Sequence, residues 1–184
     1  MNNSNNHYKG AGILPYSFNK KGQLVFLLGM ENYIPLNNKS LKFSDFGGGR
    51  KDNEYPIDTA LREFDEESVG AIEDKDIIKI NLLSSYKVIR GNYYQFVIKI
   101  EYCDKIVKTY NRIRKKLSSC MKMNVVNSNN KLDIKHSITS CPDGFLEKKE
   151  FRWFTVSEIL KNEDLFRDDF YKTFLMIVEK SHKI

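Results

Sequence analysis

The amino-acid sequence predicts an α/β fold, in which a mixed β-sheet lies between helices. Runs rich in β-branched and aromatic residues indicate strands, and two or three other stretches carry apolar residues at helical spacing. No internal repeat or clear domain boundary divides the 184 residues, of which 41% are hydrophobic and 29% charged. A chain of this length and composition buries one full core, so we expect a single domain over residues 9–184 after a flexible polar tail, residues 1–8.

The first part of the domain is predicted to begin with two strands. The runs GAGILPYSF (10–18) and QLVFLLGM (23–30) are largely apolar and are separated by the turn NKKG (19–22). A polar loop follows, and LKFSDF (41–46) is then a candidate for a short strand. This short strand would lead the chain directly into three consecutive glycines.

A helix is predicted over residues 56–69, shortly after the glycines. Pro56 suits the first helical turn, where its missing N–H costs nothing. The residues that share one stripe of this helix are Ile57, Ala60, Leu61, Phe64 and Ser68. We expect this stripe to face the core.

The second half of the chain alternates strands and helices. The β-like runs 76–89 and 92–103 predict two strands, and residues 105–117 predict a helix. The polar segment 124–144 indicates a loop or a weak hairpin, and FRWFTV (151–156) indicates a further strand.

A closing amphipathic helix is predicted after the last strand. Ser157 and Asp164 are its candidate N-caps. Its apolar stripe consists of Phe166, Phe170, Phe174 and Ile177.

The positive charge of the chain is concentrated in one segment. The net charge is +6, and residues 104–122 hold seven Lys or Arg and one Asp, which is also +6. We interpret residues 104–145 as a basic insertion whose first part is a helix with one cationic side. That side is either an ordinary solvated face or a docking surface for phosphates, such as those of RNA contacted through residues 105–122.

The cysteine content and the hydropathy of the chain bear on its possible metal sites and on its cellular location. The three cysteines, Cys103, Cys120 and Cys141, include no CxxC pair, so neither a disulfide framework nor a familiar zinc site is expected. No apolar run approaches the roughly 20 residues of a membrane span, and the N-terminus lacks a secretory-signal pattern. We expect a cytoplasmic protein with reduced thiols and no membrane association.

The segment FGGGRKDNEYPIDTALREFDEES (46–68) carries the most specific chemistry of the sequence. On a helix, Glu63, Glu66 and Glu67 share one flank, because residues three or four apart are neighbours. Converging carboxylates suit a hard divalent cation, and glycines let the backbone bend toward such a site. Three glutamates alone are also typical of a solvated acidic face, and glycines are typical of an ordinary tight loop.

The spacing within this segment resembles the Nudix box of the Nudix hydrolases. The box reads Gly, five residues, Glu, seven residues, then Arg-Glu-hydrophobic-any-Glu-Glu, and Gly48, Glu54 and residues 62–67 match every fixed position. The final glycine of the box falls at Val69, with Gly70 one residue later, which predicts a helix one residue longer before its C-cap. The resemblance covers roughly residues 9–180 and implies a Nudix-type α/β/α sandwich.

Membership of this family implies a hydrolase that cleaves a diphosphate linked to another group, with Mg²⁺ or Mn²⁺ as cofactor. The implied metal ligands are the side chains of Glu63, Glu66 and Glu67 and the carbonyl oxygen of Gly48 or its neighbour Gly47. Metal ions neutralise the anionic diphosphate and lower the pKa of bound water. Glu54 and Arg62 are expected to form a bidentate pair that braces the loop against the helix.

The resemblance leaves the general base open. It is either a box glutamate, Glu63 or Glu66, or a glutamate on a later loop, where Glu147 and Glu150 are the candidates. The residues assigned to catalysis are Glu63, Glu66, Glu67 and Glu150.

The substrate class is also open. Arg50 and Lys51 follow the glycines and are assigned to a phosphate of the substrate, although they are equally ordinary exposed loop residues. Free nucleotides and the mRNA cap both fit, as does a diphosphoinositol polyphosphate. The alternative from another class is a non-catalytic Nudix-fold binding module, although such modules usually lack box glutamates. Whether the protein forms a homodimer is also left open, because many members of the family are dimers.

Overall fold

One seven-stranded sheet forms the centre of the protein. The structure, a computed structural model, describes residues 8–32, 39–126 and 147–181, with side chains for 8–32, 39–117 and 147–180. The strands are β1 (Gly10–Phe18), β2 (Leu24–Glu31), β3 (Phe43–Ser44), β4 (Phe46–Gly49), β5 (Tyr86–Arg90), β6 (Tyr93–Lys99) and β7 (Lys148–Thr155). The helices are α1 (Pro56–Ser68), α2 (Lys75–Leu83), α3 (Lys105–Val126), α4 (Val156–Lys161) and α5 (Asp168–Ser181), with a 3-10 helix at Glu163–Leu165.

The sheet is mixed, and its topology holds the glycine strand in place. β1 and β6 run parallel, whereas the other described strand pairs are antiparallel. β1 pairs with β2 near its C-terminal end and with β4 near its N-terminal end, where Gly12 lies opposite Gly47. β2 pairs in turn with β3 and β7. The glycines after Phe46 are therefore part of the sheet rather than a loop.

Helices cover both faces of the sheet, which confirms the predicted α/β/α sandwich. On one face, Phe46 and Ile78 belong to a core cluster formed with α1, α2 and α3. On the other face, Phe26, Phe154 and Phe174 belong to a second cluster formed with α4 and α5. Removal of these large apolar side chains from water stabilises both layers.

Residues 76–83 correct the sequence analysis, because they form part of helix α2 rather than of a strand. The Asp74 carboxylate caps this helix by accepting a hydrogen bond from the backbone N–H of Asp76 at 2.9 Å. Ile78 and Leu82, four residues apart, are buried, whereas Ile77 is exposed. The isoleucine content suggested a strand, but the helical spacing of the buried positions decides the structure.

The C-terminal elements also differ in their boundaries from the prediction. The last strand begins three residues earlier than expected, and the helix after it is capped by Thr155. The Thr155 hydroxyl accepts from the N–H of Glu158 at 3.2 Å, while the Glu158 carboxylate accepts from the N–H of Thr155 at 2.7 Å. The closing helix begins only at Asp168, so Ser157 and Asp164 are not its caps.

Helix α1 is one residue shorter than the predicted helix over residues 56–69. The helix stops at Ser68, and Val69 adopts the left-handed conformation with φ 48° and ψ 37°. Its N–H donates to the carbonyl of Asp65 at 3.0 Å. The prediction of a longer helix is therefore wrong. Val69 itself takes the conformation that favours glycine, at a cost of about 1–2 kcal/mol for a side chain with a Cβ.

Helix α3 confirms the helix predicted in the basic segment and extends it. Ile106 and Tyr110 are buried in the core, and the Tyr110 hydroxyl donates to the backbone carbonyl of Lys148 at 2.6 Å. This hydrogen bond fastens α3 to the start of β7. Residues 127–146, which include most of the predicted loop 124–144, lie outside the described residues.

The described chain begins at Tyr8, which the sequence analysis assigned to the flexible tail. Tyr8 is buried, and its hydroxyl donates to the backbone carbonyl of Glu54. The ordered domain therefore includes Tyr8, and residues 1–7 lie outside the described residues. None of the described helices is long and apolar enough to cross a membrane.

Candidate active site

The predicted carboxylates lie where α1 packs across the glycine strand β4. The rings of Phe64 in α1 and Phe46 in β4 are 5.3 Å apart. Glu63 and Glu67 lie one helical turn apart on the buried side of α1, and their residues are only 9% and 2% exposed. Glu66 is partly buried. Burial excludes the solvated acidic face for Glu63 and Glu67.

Arg62 connects the acidic residues to one another. Its Nε and Nη2 donate to the two carboxylate oxygens of Glu54 at 2.6 and 3.1 Å, which confirms the predicted bidentate pair. Its Nη1 donates to Glu63 at 2.8 Å and to Glu66 at 3.2 Å. Nη2 also donates to the carbonyl oxygen of Gly49 at 2.8 Å. The hydrogen bond from Arg62 lowers the pKa of Glu54 to about 2, although burial opposes this shift.

Glu67 is held apart from the other two glutamates of the box. The backbone N–H of Gly47 donates to its Oε2 at 2.9 Å, and the Nζ of Lys148 lies 3.2 Å from its Oε1. Burial raises the pKa of Glu67, and the positive charge of Lys148 opposes that rise. Because both carboxylate oxygens have partners, Glu67 acts in this structure as a link between α1, β4 and β7.

Lys148 is a residue of this region that the sequence analysis did not identify. It is fully buried, and its Nζ donates to Glu31 at 2.8 Å, to the Ser44 hydroxyl at 3.0 Å and to the backbone carbonyl of Asp45 at 3.1 Å. Burial disfavours its charge, but the attraction of Glu67 and Glu31 outweighs burial and raises its pKa. In the sequence Lys148 lies within EKKE, where no pattern distinguishes it from its charged neighbours.

Of the two loop glutamates, the structure places Glu147 at the site. Glu147 lines a cavity together with residues 47–49. Partial desolvation raises the pKa of Glu147, whose side chain remains exposed, and the negative charge of Glu63 raises it further. Glu150, which the sequence analysis assigned to catalysis, pairs with Met30 in the sheet and does not line this cavity. Glu147 is therefore the better-placed loop candidate.

The two cations after the glycines interact with the protein itself. The Nε of Arg50 donates to the backbone carbonyl of Glu54 at 3.2 Å, and its guanidinium lies 4.7 Å from the ring centroid of Tyr8. The Nζ of Lys51 lies 3.6 Å from Glu66. Neither cation lines the cavity beside the glycines, and their contact with a phosphate stays a prediction.

Within the described residues, no group of three or more His, Cys, Asp or Glu side chains is placed so that it could hold a metal ion. Glu63 and Glu66 nevertheless both accept from the single Nη1 of Arg62, so their carboxylates lie within reach of one cation. Carboxylate oxygens are the ligands that a divalent cation such as Mg²⁺ prefers. Burial raises the pKa of Glu63, and the charge of Glu66 adds to this effect. A cation that displaced Arg62 would offset this repulsion with the oxygen ligands it prefers.

Gly48 provides space for the side chain of Glu63. A Cβ on Gly48 would lie 2.5 to 2.7 Å from three atoms of the Glu63 carboxylate. Gly48 lies opposite Ala11 in the antiparallel ladder between β4 and β1, and its carbonyl oxygen lies close to Gly10. A metal contact from the backbone carbonyl of Gly48 or Gly47 stays a prediction.

We expect Gly48→Ala to reduce activity with little loss of stability. The new methyl group would push the Glu63 carboxylate away, and a shift of about 1 Å in a catalytic group can cost about 100-fold in rate. A carboxylate at the end of a flexible side chain moves cheaply, so the unfolding midpoint should change little. The measurements are kcat on the best substrate and thermal unfolding.

Gly49→Ala is the matched control, because a Cβ there would meet no atom within 4 Å. This variant should keep both its activity and its unfolding midpoint. Equal losses of activity in the two variants would contradict the role assigned to the contact between Gly48 and Glu63.

The cavity beside the glycine strand has a volume of about 480 Å³ and a polar lining. Tyr93 and Gln95 on β6 form part of its wall, and both donate to Oδ2 of Asp45, at 2.9 and 2.6 Å. Arg90 and Glu147 also line it. A cavity of this size with charged walls suits a small, polar and charged ligand.

Comparison with known proteins identifies the fold. No protein-family model matches the chain, and no curated protein matches it. An Ap4A hydrolase from C. elegans, solved as a binary complex, has a TM-score of 0.51 at 14% identity over 96% of this chain and 100% of that one. A Nudix hydrolase from M. smegmatis has a TM-score of 0.51 at 14% identity over 97% and 88% of the two chains.

A third similar structure contains a manganese ion. It is a bifunctional NMN adenylyltransferase/ADP ribose pyrophosphatase from Francisella tularensis, complexed with AMP and a Mn ion. Its TM-score is 0.52 at 14% identity, over 97% of this chain and 43% of that one. At such identity these likenesses establish that the chain has a Nudix-type fold.

Proposed function

We propose that the protein is a metal-dependent Nudix pyrophosphohydrolase that cleaves a diphosphate bond in a nucleoside-diphosphate-linked substrate. The observation that carries the proposal is the position of the Glu63 carboxylate against Gly48, a residue that lines a polar cavity together with Glu147. The Nudix-type fold supports it, because two of the similar structures are a hydrolase and a pyrophosphatase of phosphoanhydride substrates.

The chain's own residues divide the work in this proposal. Glu63 and Glu66 would hold Mg²⁺ or Mn²⁺, which supplies positive charge for the diphosphate and lowers the pKa of bound water. Glu147 accepts the proton of the attacking water. Before an ion binds, Arg62 holds Glu63 and Glu66 together through the hydrogen bonds of its Nη1, and it would stay paired with Glu54 once the ion displaced it from them. Glu67 keeps α1 against β4 and would join the ion only by leaving Lys148.

A substrate screen tests the proposal. Purified protein is incubated with Mg²⁺ or Mn²⁺ and nucleoside di- and triphosphates, nucleotide sugars, dinucleoside polyphosphates, inositol pyrophosphates and capped RNA. We expect a phosphate-containing product from at least one class, and none from the Glu63→Gln/Glu66→Gln double variant. If the wild-type protein released no product with either ion, the non-catalytic binding module would become the better interpretation.

Capped RNA is a second candidate substrate, favoured by the basic face of α3. The residues of this face that are exposed are Lys105, Lys108, Arg112, Lys115 and Lys116. A cationic helix face attracts the RNA backbone, and such binding weakens steeply with salt.

We expect Lys115→Glu/Lys116→Glu to raise KM for long capped RNA by about tenfold while leaving KM for a short nucleotide unchanged, because the helix face would contact only the RNA chain. The measurement is KM for both substrates at two salt concentrations. Lys161→Glu/Lys180→Glu, on α4 and α5, changes the charge equally and is the control. An unchanged KM for capped RNA in the α3 variant would rule out this role of α3.

A further inference from the structure

A second cavity, of about 470 Å³, lies next to the one beside the glycine strand. The two cavities share Lys39, Arg90, Arg167 and Asp169 in their walls. The second cavity extends away from the glycines toward Lys42 and Lys172. These two lysines line the second cavity but not the first. A ligand can therefore reach from the proposed reaction centre into the second cavity.

The lining of the second cavity is strongly basic. Its cationic side chains are Lys39, Lys42, Arg90, Arg167 and Lys172, and its acidic side chains are Asp168 and Asp169. Five positive charges against two negative charges leave an excess of three positive charges. An excess of one sign inside a concave surface concentrates ligands of the opposite sign.

Ion pairs within the protein reduce this excess without removing it. Arg167 is bound by Asp169 at 2.8 Å and by Glu31, which does not line the cavity, at 3.0 Å. Asp168 pairs with Lys172 at 2.7 Å in an exposed contact of a kind that contributes little. Arg90 donates from Nε to the neutral hydroxyl of Thr173 at 2.8 Å. In the three described parts of the chain, no carboxylate forms an ion pair with Arg90.

The chemistry of the lining favours phosphate. A guanidinium presents a planar fork that matches two phosphate oxygens, and ammonium groups add mobile point charges around them. Arg90 lies at the boundary of the two cavities, so it can contact a phosphate in either one. Neutral sugar hydroxyls or an apolar group would gain nothing from this charge.

We infer that the second cavity is a subsite for a phosphate that the substrate carries beyond its scissile diphosphate. This inference rests on the proposed function, because the scissile bond is placed at Glu63 and Gly48. It narrows the substrate class to molecules with phosphates remote from the cleaved bond. Such phosphates come either from the longer chain of a dinucleoside polyphosphate or from the ring of a diphosphoinositol polyphosphate.

Direct binding of inorganic tripolyphosphate tests the subsite without catalysis. Isothermal titration calorimetry is performed without divalent ions on the wild type and on the variant Lys42→Gln/Lys172→Gln. We expect the Kd of tripolyphosphate to rise at least about tenfold in this variant, because two charged contacts are lost. Lys79→Gln/Lys161→Gln, which removes the same charge from α2 and α4, should leave the Kd unchanged. Equal Kd values for the wild type and the cavity variant, or equal losses in both variants, would overturn the inference.

Steady-state kinetics then identify the source of the phosphate. In Lys42→Gln/Lys172→Gln, KM should rise for a dinucleoside polyphosphate or for a diphosphoinositol polyphosphate, with kcat unchanged. KM for ADP-ribose, which lacks a remote phosphate, should stay the same. A rise for ADP-ribose equal to the others would contradict the subsite. If no substrate is hydrolysed, the proposed function fails, and the calorimetry still decides whether the second cavity binds phosphate.

Discussion

Replacing Glu147 with glutamine is expected to lower kcat by about 100-fold or more, which is the usual contribution of a general base. Glu147 lines the cavity beside the glycine strand and is electrostatically coupled to Glu63 and Glu66. Partial desolvation raises its pKa and the negative charge of Glu63 adds to this rise, although the side chain is still exposed to solvent and can reach an attacking water. Glutamine keeps the shape of the side chain but cannot accept the proton of the attacking water.

Glu150→Gln is the matched control for this prediction. It makes the same chemical change three residues later, inside strand β7 rather than just before it, at a position that does not line the cavity. Its kcat should stay within about twofold of the wild type, and both variants should unfold at the same temperature, as expected of substitutions away from buried networks. If Glu150→Gln lost activity and Glu147→Gln did not, the original assignment of Glu150 would be restored. If both variants kept activity, the base would lie on α1.

Replacing Lys148 with methionine is expected to reduce the free energy of unfolding by about 3–5 kcal/mol, because it removes one partner of a buried charge network. The substitution preserves the approximate length of the side chain but removes the ammonium group. Glu67 would lose its only described cationic partner, whereas Glu31 would keep Arg167 at 3.0 Å. The measurement is the midpoint and slope of urea unfolding.

Two further variants distinguish the loss of the buried charge of Lys148 from the general effect on stability of a substitution in this part of β7. Lys149→Met alters the next residue, which is exposed, and should change stability by less than about 0.5 kcal/mol. Lys148→Met/Glu67→Gln removes both charges of the pair and should recover part of the loss, while the glutamine can still accept from the N–H of Gly47. A loss in Lys148→Met no larger than that in Lys149→Met would show that the buried pair does not hold α1 against β7.

The elements that sequence analysis predicted correctly are those whose patterns are local. The largely apolar runs of β1 and β2, the amphipathic pattern of α1 and the basic helix α3 depend on residues within one element. The pair between Glu54 and Arg62 was also predictable, because the box spacing implied it. The helix at residues 75–83 was missed because isoleucine-rich segments suit both strands and helices, and tertiary packing of Ile78 and Leu82 decided between them.

Within the candidate site, the sequence by itself determined that Glu63, Glu66 and Glu67 share one side of a helix that follows three glycines. Only the tertiary structure decided which charges meet across elements. β7 brings Lys148 under Glu67, Glu147 lies beside residues 47–49, and Glu150 takes a sheet position away from the cavity. The physical reason is that helical spacing follows from local backbone geometry, whereas the partner of a buried charge depends on contacts between residues 80 or more positions apart in the chain.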